Sequence, residues 1–377
     1  MQYPNPFKPT FGLIPSRIVG RQNILEEYTQ ALEEPIGNPA RTTIFTGTRG
    51  MGKTVILNEL SEIMAAKGWI TVNVTVNNEM LEDIIADIQD KAANIIGDGD
   101  RTYISGISVA GFGVDFTKDK MKDVSSWKQK MVRILSELKV RKIGLLLCID
   151  EVRGGSSAMQ IIATAYQHFL ADGYNVAIAM AGLPQAVNDL LNDHVLTFLR
   201  RASQKKLEAV SITEVQDAFR ATIEENGRKI NREALELAAK ATDGYPFLIQ
   251  AVGYYMWSQK QACEIITTDD VNEGIILAKK QLGETVLSTA LRDISAKDQE
   301  FVYAIAVDKG VTKVGDVRDR LGVSDNLTST YRRRLIEEGI IFSKGYGLID
   351  FAIPYMREYL REQLKHEGLI HSNDFLK

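Results

Sequence analysis

The chain has 377 residues, 45% hydrophobic and 25% charged, with a formal net charge of −4. That is enough apolar material for two or three buried cores, and too little positive charge for nucleic-acid affinity without a local basic patch. No run of 18 apolar residues occurs and no basic flank precedes an apolar segment at Met1-Gln2-Tyr3-Pro4, so neither a membrane span nor a secretory signal is expected; with Cys148 and Cys263 far apart and the four histidines showing no ligand spacing, the expectation is a cytoplasmic protein without a disulfide framework or zinc site.

Residues 1–16 form a Pro-punctuated arm, Pro4-Asn5-Pro6-Phe7-Lys8-Pro9, which cannot be helical and is expected to pack its aromatics on the body. From 17 to 210 strands alternate with helices, the pattern of a parallel sheet covered on both faces. Five strands are expected, near 42–46, 69–75, 143–149, 175–181 and 206–210. The first ends in Gly47-Thr48-Arg49-Gly50-Met51-Gly52-Lys53-Thr54, which fits the nucleotide-binding pattern G-x-x-x-x-G-K-[ST] and leads into an apolar helix from Val55. A loop between a buried strand and a helix N-terminus aims backbone N–H groups and the positive helix end at one point, which suits a chain of phosphates. Gly47, Gly50 and Gly52 remove side chains that would block the approach. Lys53 would supply a point charge at the β- and γ-phosphates, and the Thr54 hydroxyl would ligate Mg²⁺.

Residues 101–118 interrupt the alternation with a glycine-rich run that resembles a β-hairpin, either a partner-touching loop or one folded on its own body. Trp127, Met131, Ile134, Leu135 and Leu138 then repeat at helical spacing and are expected core contacts. The run Leu145-Leu146-Leu147-Cys148-Ile149 reads as a central strand closing in Asp150-Glu151, at the edge where open α/β sheets bind ligands. Asp150 would complete the Mg²⁺ shell and Glu151 would polarise the attacking water.

Residues 211–285 read as a helical lid without strands, opening on a capping box at Thr213 and Gln216; Arg220 and Arg228 are expected to be exposed. From 290 to 377, three short helices with a tight turn at Gly322-Val323-Ser324-Asp325 match a helix-turn-helix, and two strands flank Lys344-Gly345-Tyr346 as they would flank a wing.

Together these motifs resemble an AAA+ ATPase of the STAND or archaeal-ATPase type, close to the replication initiators. The resemblance implies a P-loop α/β sheet of about five strands, then a helical lid and a C-terminal winged helix, with ATP/ADP and Mg²⁺ as cofactors. It implies that Ile18 and Val19, in Ile18-Val19-Gly20-Arg21, touch adenine alongside the phosphate-binding run from Gly47 to Val55, and that Pro246, in Gly244-Tyr245-Pro246-Phe247, opens a lid helix over the nucleotide. In Thr197-Phe198-Leu199-Arg200-Arg201 either arginine could be the finger that reaches a neighbouring subunit, which implies a nucleotide-dependent homo-oligomer. Where the family's first sensor carries a polar side chain, Ala181 and Gly182 carry none.

A winged helix of this kind would put Thr328, Ser329, Thr330 and Arg332 near bases and Arg333, Arg334 and Lys344 near phosphates of duplex DNA. Two functions stay open: an ATPase whose nucleotide state controls contact with DNA, and a signalling switch whose winged helix occludes the nucleotide or docks a protein partner.

Overall fold

A computed structural model describes residues 3–10, 12, 14–96, 120–194, 196–260 and 262–366; the glycine-rich run at 101–118 lies outside them. Five strands, β1 (Thr42–Thr46), β2 (Ile70–Thr75), β3 (Leu145–Asp150), β4 (Val176–Gly182) and β5 (Ser203–Lys206), form one sheet in the order β2-β3-β4-β1-β5, with every pairing parallel. Alternation sends Ile44, Leu145, Leu147, Ile149 and Ile178 to one face, where Trp127, Met131, Ile134, Leu135 and Leu138 are buried with them. Phe45, Leu146, Cys148, Ala177 and Ala179 face the other way, against the helices Gln22–Glu33 and Lys53–Ala66. This second core does not stop at the sheet: it runs on through Leu248 and Trp257 to Ile305, Leu335 and Ile349 near the C-terminus.

The fifth strand lies earlier than the apolar pattern suggests. Residues 203–206 pair with β1 although only alternate side chains are half-buried, as befits an edge strand. The more apolar Leu207 and Val210 are buried in the connection that follows, and the Val210 N–H donates to the Gly244 carbonyl at 2.8 Å.

The helices Ile212–Glu225, Arg232–Ala241, Pro246–Ser258 and Thr268–Leu282 make the lid. Its capping box is Ser211 with Glu214 rather than Thr213 with Gln216, because Ser211 has the extended backbone an N-cap needs. A minimal parallel pair, Lys229–Ile230 with Ile265–Ile266, adds strand structure that so short a segment does not signal. Arg220 is exposed and pairs with Asp217, whereas Arg228 is buried. The Arg228 guanidinium donates to the Trp257 carbonyl at 2.7 Å and stacks over the Trp257 ring, so the backbone acceptors and the ring face replace lost hydration.

The arm ties the lid together. Phe7 is buried against Phe219 and Trp257, Asn5 donates to the Tyr254 carbonyl, and the Lys8 N–H donates to Gln250.

A π-helical turn, Gly283–Leu287, carries the last lid helix into Ser288–Arg292. Beyond it the helices Ala296–Ala306, Val314–Leu321 and Asp325–Glu337 pack with a three-stranded antiparallel sheet, in which Leu348–Phe351 lies between Thr312–Lys313 and Ile341–Gly345, and Met356–His366 closes the unit. This is a winged-helix arrangement, with Asp325–Glu337 in the place that the recognition helix takes in such units. Replacing Phe7 with Ala should remove the arm's anchor and cost about 3 kcal/mol, lowering the denaturant midpoint, while Phe7→Leu should recover most of the loss.

Candidate functional site

One cavity of about 1080 Å³ opens at the C-terminal edge of the sheet and is lined by the P-loop, the ends of β3 and β4, the lid and the N-terminal arm. Its position follows from strand order. With β4 between β1 and β3, the loop after β1 and the acids ending β3 flank the same gap.

Gly50 and Gly52 have φ of +73° and +82°, a left-handed backbone that bends the chain into the helix Lys53–Ala66 at no steric cost. A side chain at Gly50 would collide with the Tyr245 hydroxyl, so the lid as well as a phosphate requires glycine there. Lys53 Nζ donates to the carbonyls of Gly47 and Thr48, each at 2.9 Å. Those two residues do not line the cavity; their carbonyls hold the lysine that does. Arg49 and Val55 also line the wall, whereas the Met51 side chain, although at the cavity edge, is buried in the core.

The Thr54 hydroxyl donates to Asp150 Oδ2 at 2.5 Å, which brings together the two oxygen ligands read from the sequence. Both are hard oxygen donors of the kind that Mg²⁺ takes. The Glu151 N–H donates to Asp150 Oδ1 at 2.8 Å, and Glu151 itself is exposed with φ of +54°. A non-glycine residue in that region costs on the order of 1 kcal/mol. The strained turn separates the two acids, with Asp150 aimed at Thr54 and Glu151 free in the cavity wall.

Ile18, Val19, Pro246, Phe247 and Ile249 form an apolar end. Pro246 stands first in its helix, where its missing N–H costs nothing. Gly20 and Gly244, with φ of +67° each, sit against Val210 from two sides, and a side chain at Gly244 would collide with the Val210 carbonyl. The lid also meets the phosphate loop directly: the Tyr245 hydroxyl donates to the Arg49 carbonyl, and the Phe247 N–H donates to Gly50 at 3.3 Å.

Arg200 and Arg201 lie in the turn that leads into the start of β5, at the opposite edge of the sheet from the P-loop. Arg200 Nε donates to the Leu191 carbonyl, and neither arginine lines the cavity of its own chain.

In the winged helix the structure separates the expected DNA-facing residues. Ser329, Arg333, Arg334 and Lys344 are exposed, but they are not equally available. Arg334 instead holds Asp298 through Nη2 at 2.6 Å and Nε at 3.2 Å, and so serves packing between helices. Arg332 is half-buried and donates to Ser343, and Thr328 is buried with its hydroxyl on the Ser324 carbonyl. The helical phase turns Thr328 and Arg332 toward the body, a rotation that spacing alone leaves undetermined.

Three parts of the site escaped sequence reasoning. The arm residues Lys8, Pro9 and Thr10, the residues Glu284 and Thr285 of the π-helical turn, and Arg153, two residues beyond Glu151, all line the cavity. Only Arg153 carried a signal, as the cation nearest the acidic pair in sequence. The winged helix is a fourth neighbour. Arg49 of the P-loop pairs with Asp293 at 2.5 Å, and Gly339, at the end of the recognition helix, packs so closely on Thr48 that a Cβ there would lie 2.8 Å from the threonine methyl.

A family model described as "Domain of unknown function (DUF8462)" matches residues 284–360. No curated protein matches the sequence. Among solved structures, the Walker-type ATPase PABY2304 of Pyrococcus abyssi superposes with a TM-score of 0.64 at 15% identity, covering 91% of this chain and 96% of that one. The ORC2 protein of Aeropyrum pernix, in its ADPNP-ADP complexes, gives 0.56 at 14% identity over 96% and 98%, and its ADP form gives 0.51 at 14% over 96% and 99%. The chain thus shares the full-length fold of this Walker-type ATPase and of the ORC2 protein.

Burial pushes the Lys53 ammonium down from 10.5 to about 8, with Asp150 opposing the shift. The native state therefore binds fewer protons than the unfolded state between those values; the cost of charging Lys53 is fully present below about pH 8 and is relieved as pH rises toward 10.5. A phosphate chain beside the lysine would restore its charge. Nucleotide binding is expected to take up about half a proton near pH 8 and almost none at about pH 6.5, read from calorimetric enthalpies in buffers of different ionisation enthalpy.

Proposed function

We propose that the chain is a Mg²⁺-dependent ATPase whose nucleotide state is passed to its winged helix. The observation that carries this reading is the convergence of Lys53, the Thr54–Asp150 pair and Glu151 on one cavity. ATP would lie with its base at Ile18, Val19 and Pro246 and its phosphates along the loop from Gly47 to Val55. Thr54 and Asp150 would hold Mg²⁺, which would supply positive charge to the phosphate chain. Lys53 would exchange its two carbonyl acceptors for phosphate oxygens. Glu151 takes a proton from water as the water oxygen bonds to phosphorus and the bond to the ADP oxygen breaks.

Transmission to the winged helix rests on the contacts of Arg49 with Asp293 and of Thr48 with Gly339, both made by the loop that would hold phosphate. The assembly this reading implies is a nucleotide-dependent homo-oligomer, in which Arg200 or Arg201 of one copy reaches the cavity of the next.

Duplex DNA is the output we favour. Between Lys309 and Gly347 the sequence holds eight basic residues, Lys309, Lys313, Arg318, Arg320, Arg332, Arg333, Arg334 and Lys344, against five acidic, Asp316, Asp319, Asp325, Glu337 and Glu338. Ser329, Arg333 and Lys344 are its exposed contacts. A protein partner is the second reading, favoured by the internal pairing of Arg318, Arg320 and Arg334 with carboxylates and by exposed Leu327, Phe342 and Tyr346.

Lys53→Ala should weaken nucleotide binding by about 100-fold or more, since a charge-assisted hydrogen bond to phosphate disappears and the loop loses its internal tie. Glu151→Gln should bind within about threefold of the parent while phosphate release falls about 1,000-fold; fluorescent-nucleotide titration and a phosphate-release assay read the two. For the winged helix, Arg333→Ala combined with Lys344→Ala should weaken binding to all duplexes alike and flatten the salt dependence by about 0.9 log unit for each phosphate no longer neutralised. Absence of duplex binding by the parent at about 50 mM salt, where electrostatic attraction is strong, would transfer the output to a protein partner.

A further inference from the structure

The phosphate end of the cavity has a gap in its charge. The last residues of β4, Ala181 and Gly182, offer no polar side chain, and a side chain at Gly182 would be crowded. A Cβ at Gly182 would lie 3.0 Å from both Val152 Cγ2 and the Val152 carbonyl. Val152, fully buried, fills that space, and its N–H donates to the Ala181 carbonyl at 2.9 Å. The residue that occupies the sensor position's volume is thus an apolar side chain from the β3 loop, and the next residue along that loop is Arg153.

The backbone around Arg153 is clamped on both sides. Val152 is hydrogen-bonded to β4, and Gly154 packs on the helix Pro184–Asn192 so tightly that a Cβ would lie 2.9 Å from the Asp189 backbone. Arg153 is exposed and lines the cavity with Lys53, Thr54, Asp150 and Glu151. The other arginines of the wall are committed elsewhere: Arg17 to Glu225 at 2.7 Å, Arg21 to the Glu208 carbonyl at 2.6 Å and Arg49 to Asp293 at 2.5 Å. Arg153 has no ion pair or hydrogen bond to any of the described residues. Arg200 and Arg201, at the far edge of the sheet, cannot supply the charge within one chain.

We propose that Arg153 is a catalytic residue acting in cis, contacting the γ-phosphate of ATP bound in its own chain and stabilising the charge that develops during hydrolysis. The inference rests on the ATPase reading above. Arg153 adds no atom to that reaction: water supplies the oxygen, Glu151 takes the proton and ADP leaves with the bonding electrons. The clamped backbone fixes where the side chain starts, and the guanidinium, with no competing partner among the described residues, is available to the charge that develops on the γ-phosphate. It would also give the chain a direct means of telling ATP from ADP, since only the γ-phosphate reaches that end of the cavity.

The test uses the full-length parent, Arg153→Ala, Arg153→Lys and Lys53→Ala, with thermal unfolding to verify that each folds. Arg153→Ala should release phosphate about 100-fold more slowly at saturating ATP. Its ADP affinity should stay within about twofold of the parent and its affinity for a non-hydrolysable ATP analogue fall about tenfold, because one charge-assisted hydrogen bond to the γ-phosphate is removed. Arg153→Lys should recover part of both losses. Adding Lys53→Ala protein, which carries an intact Arg153, should not restore the rate of Arg153→Ala. Turnover and analogue-over-ADP preference both unchanged in Arg153→Ala, or restoration by mixing, would overturn the cis assignment. Failure of the parent to bind or hydrolyse ATP would remove the ATPase reading itself; an active parent, an inactive Lys53→Ala and an unaltered Arg153→Ala would remove only the role of Arg153.

Discussion

The P-loop backbone is held by the lid and the winged helix as well as by its own strand and helix, and most of the site's properties depend on that sharing. Tyr245 donates to the Arg49 carbonyl, Phe247 donates to Gly50, Asp293 pairs with the Arg49 side chain, and Gly339 rests on Thr48. A loop designed only to cradle phosphate needs glycine for backbone approach. Here Gly50 is also required by the ring of Tyr245, and Gly339 by the methyl of Thr48. Any movement that fits the loop to a phosphate chain has to be accommodated in these contacts. That physical link is what could turn nucleotide state into a change at the winged helix.

The same sharing explains why the cavity has several walls from distant parts of the chain. The arm, pinned by Phe7, and the π-helical turn both supply residues to its lining. A π turn widens the helix locally and is kept where a backbone irregularity places side chains usefully. Glu284 and Thr285 reach the cavity from that turn, between lid and winged helix. The wing approaches the lid as well: Tyr355 donates to the Ala241 carbonyl at 2.7 Å, and the charge of Lys344 partly offsets the rise that burial imposes on the Asp243 carboxyl. The core that begins under the sheet continues through both units, so they are packed as one body.

The chemistry was most legible where it is local in sequence. Gly50, Gly52, Lys53 and Thr54 lie in one turn, and Asp150 and Glu151 end one apolar strand, so their proximity to each other needed only the sheet's parallel order. Features set by rotation or by distant packing were not legible. The apolar pattern at 206–210 came from residues buried under the lid, while β5 itself has no apolar run. Arg228 looked like any exposed arginine until the Trp257 ring and carbonyl received it. Thr328 and Arg334 sit on the recognition helix at spacings compatible with either face, and the acceptor for Arg334 is Asp298, more than thirty residues upstream.

The central claim is that phosphate binding at the P-loop is felt by the lid and the winged helix through the contacts they share with it. Amide hydrogen exchange of the full-length protein, with and without Mg²⁺ and ATP, addresses it most directly. The account predicts slower exchange at residues 49–55 together with altered exchange at 243–247 and 338–345. Protection confined to the P-loop, with the lid turn and the end of the recognition helix exchanging as before, would contradict it.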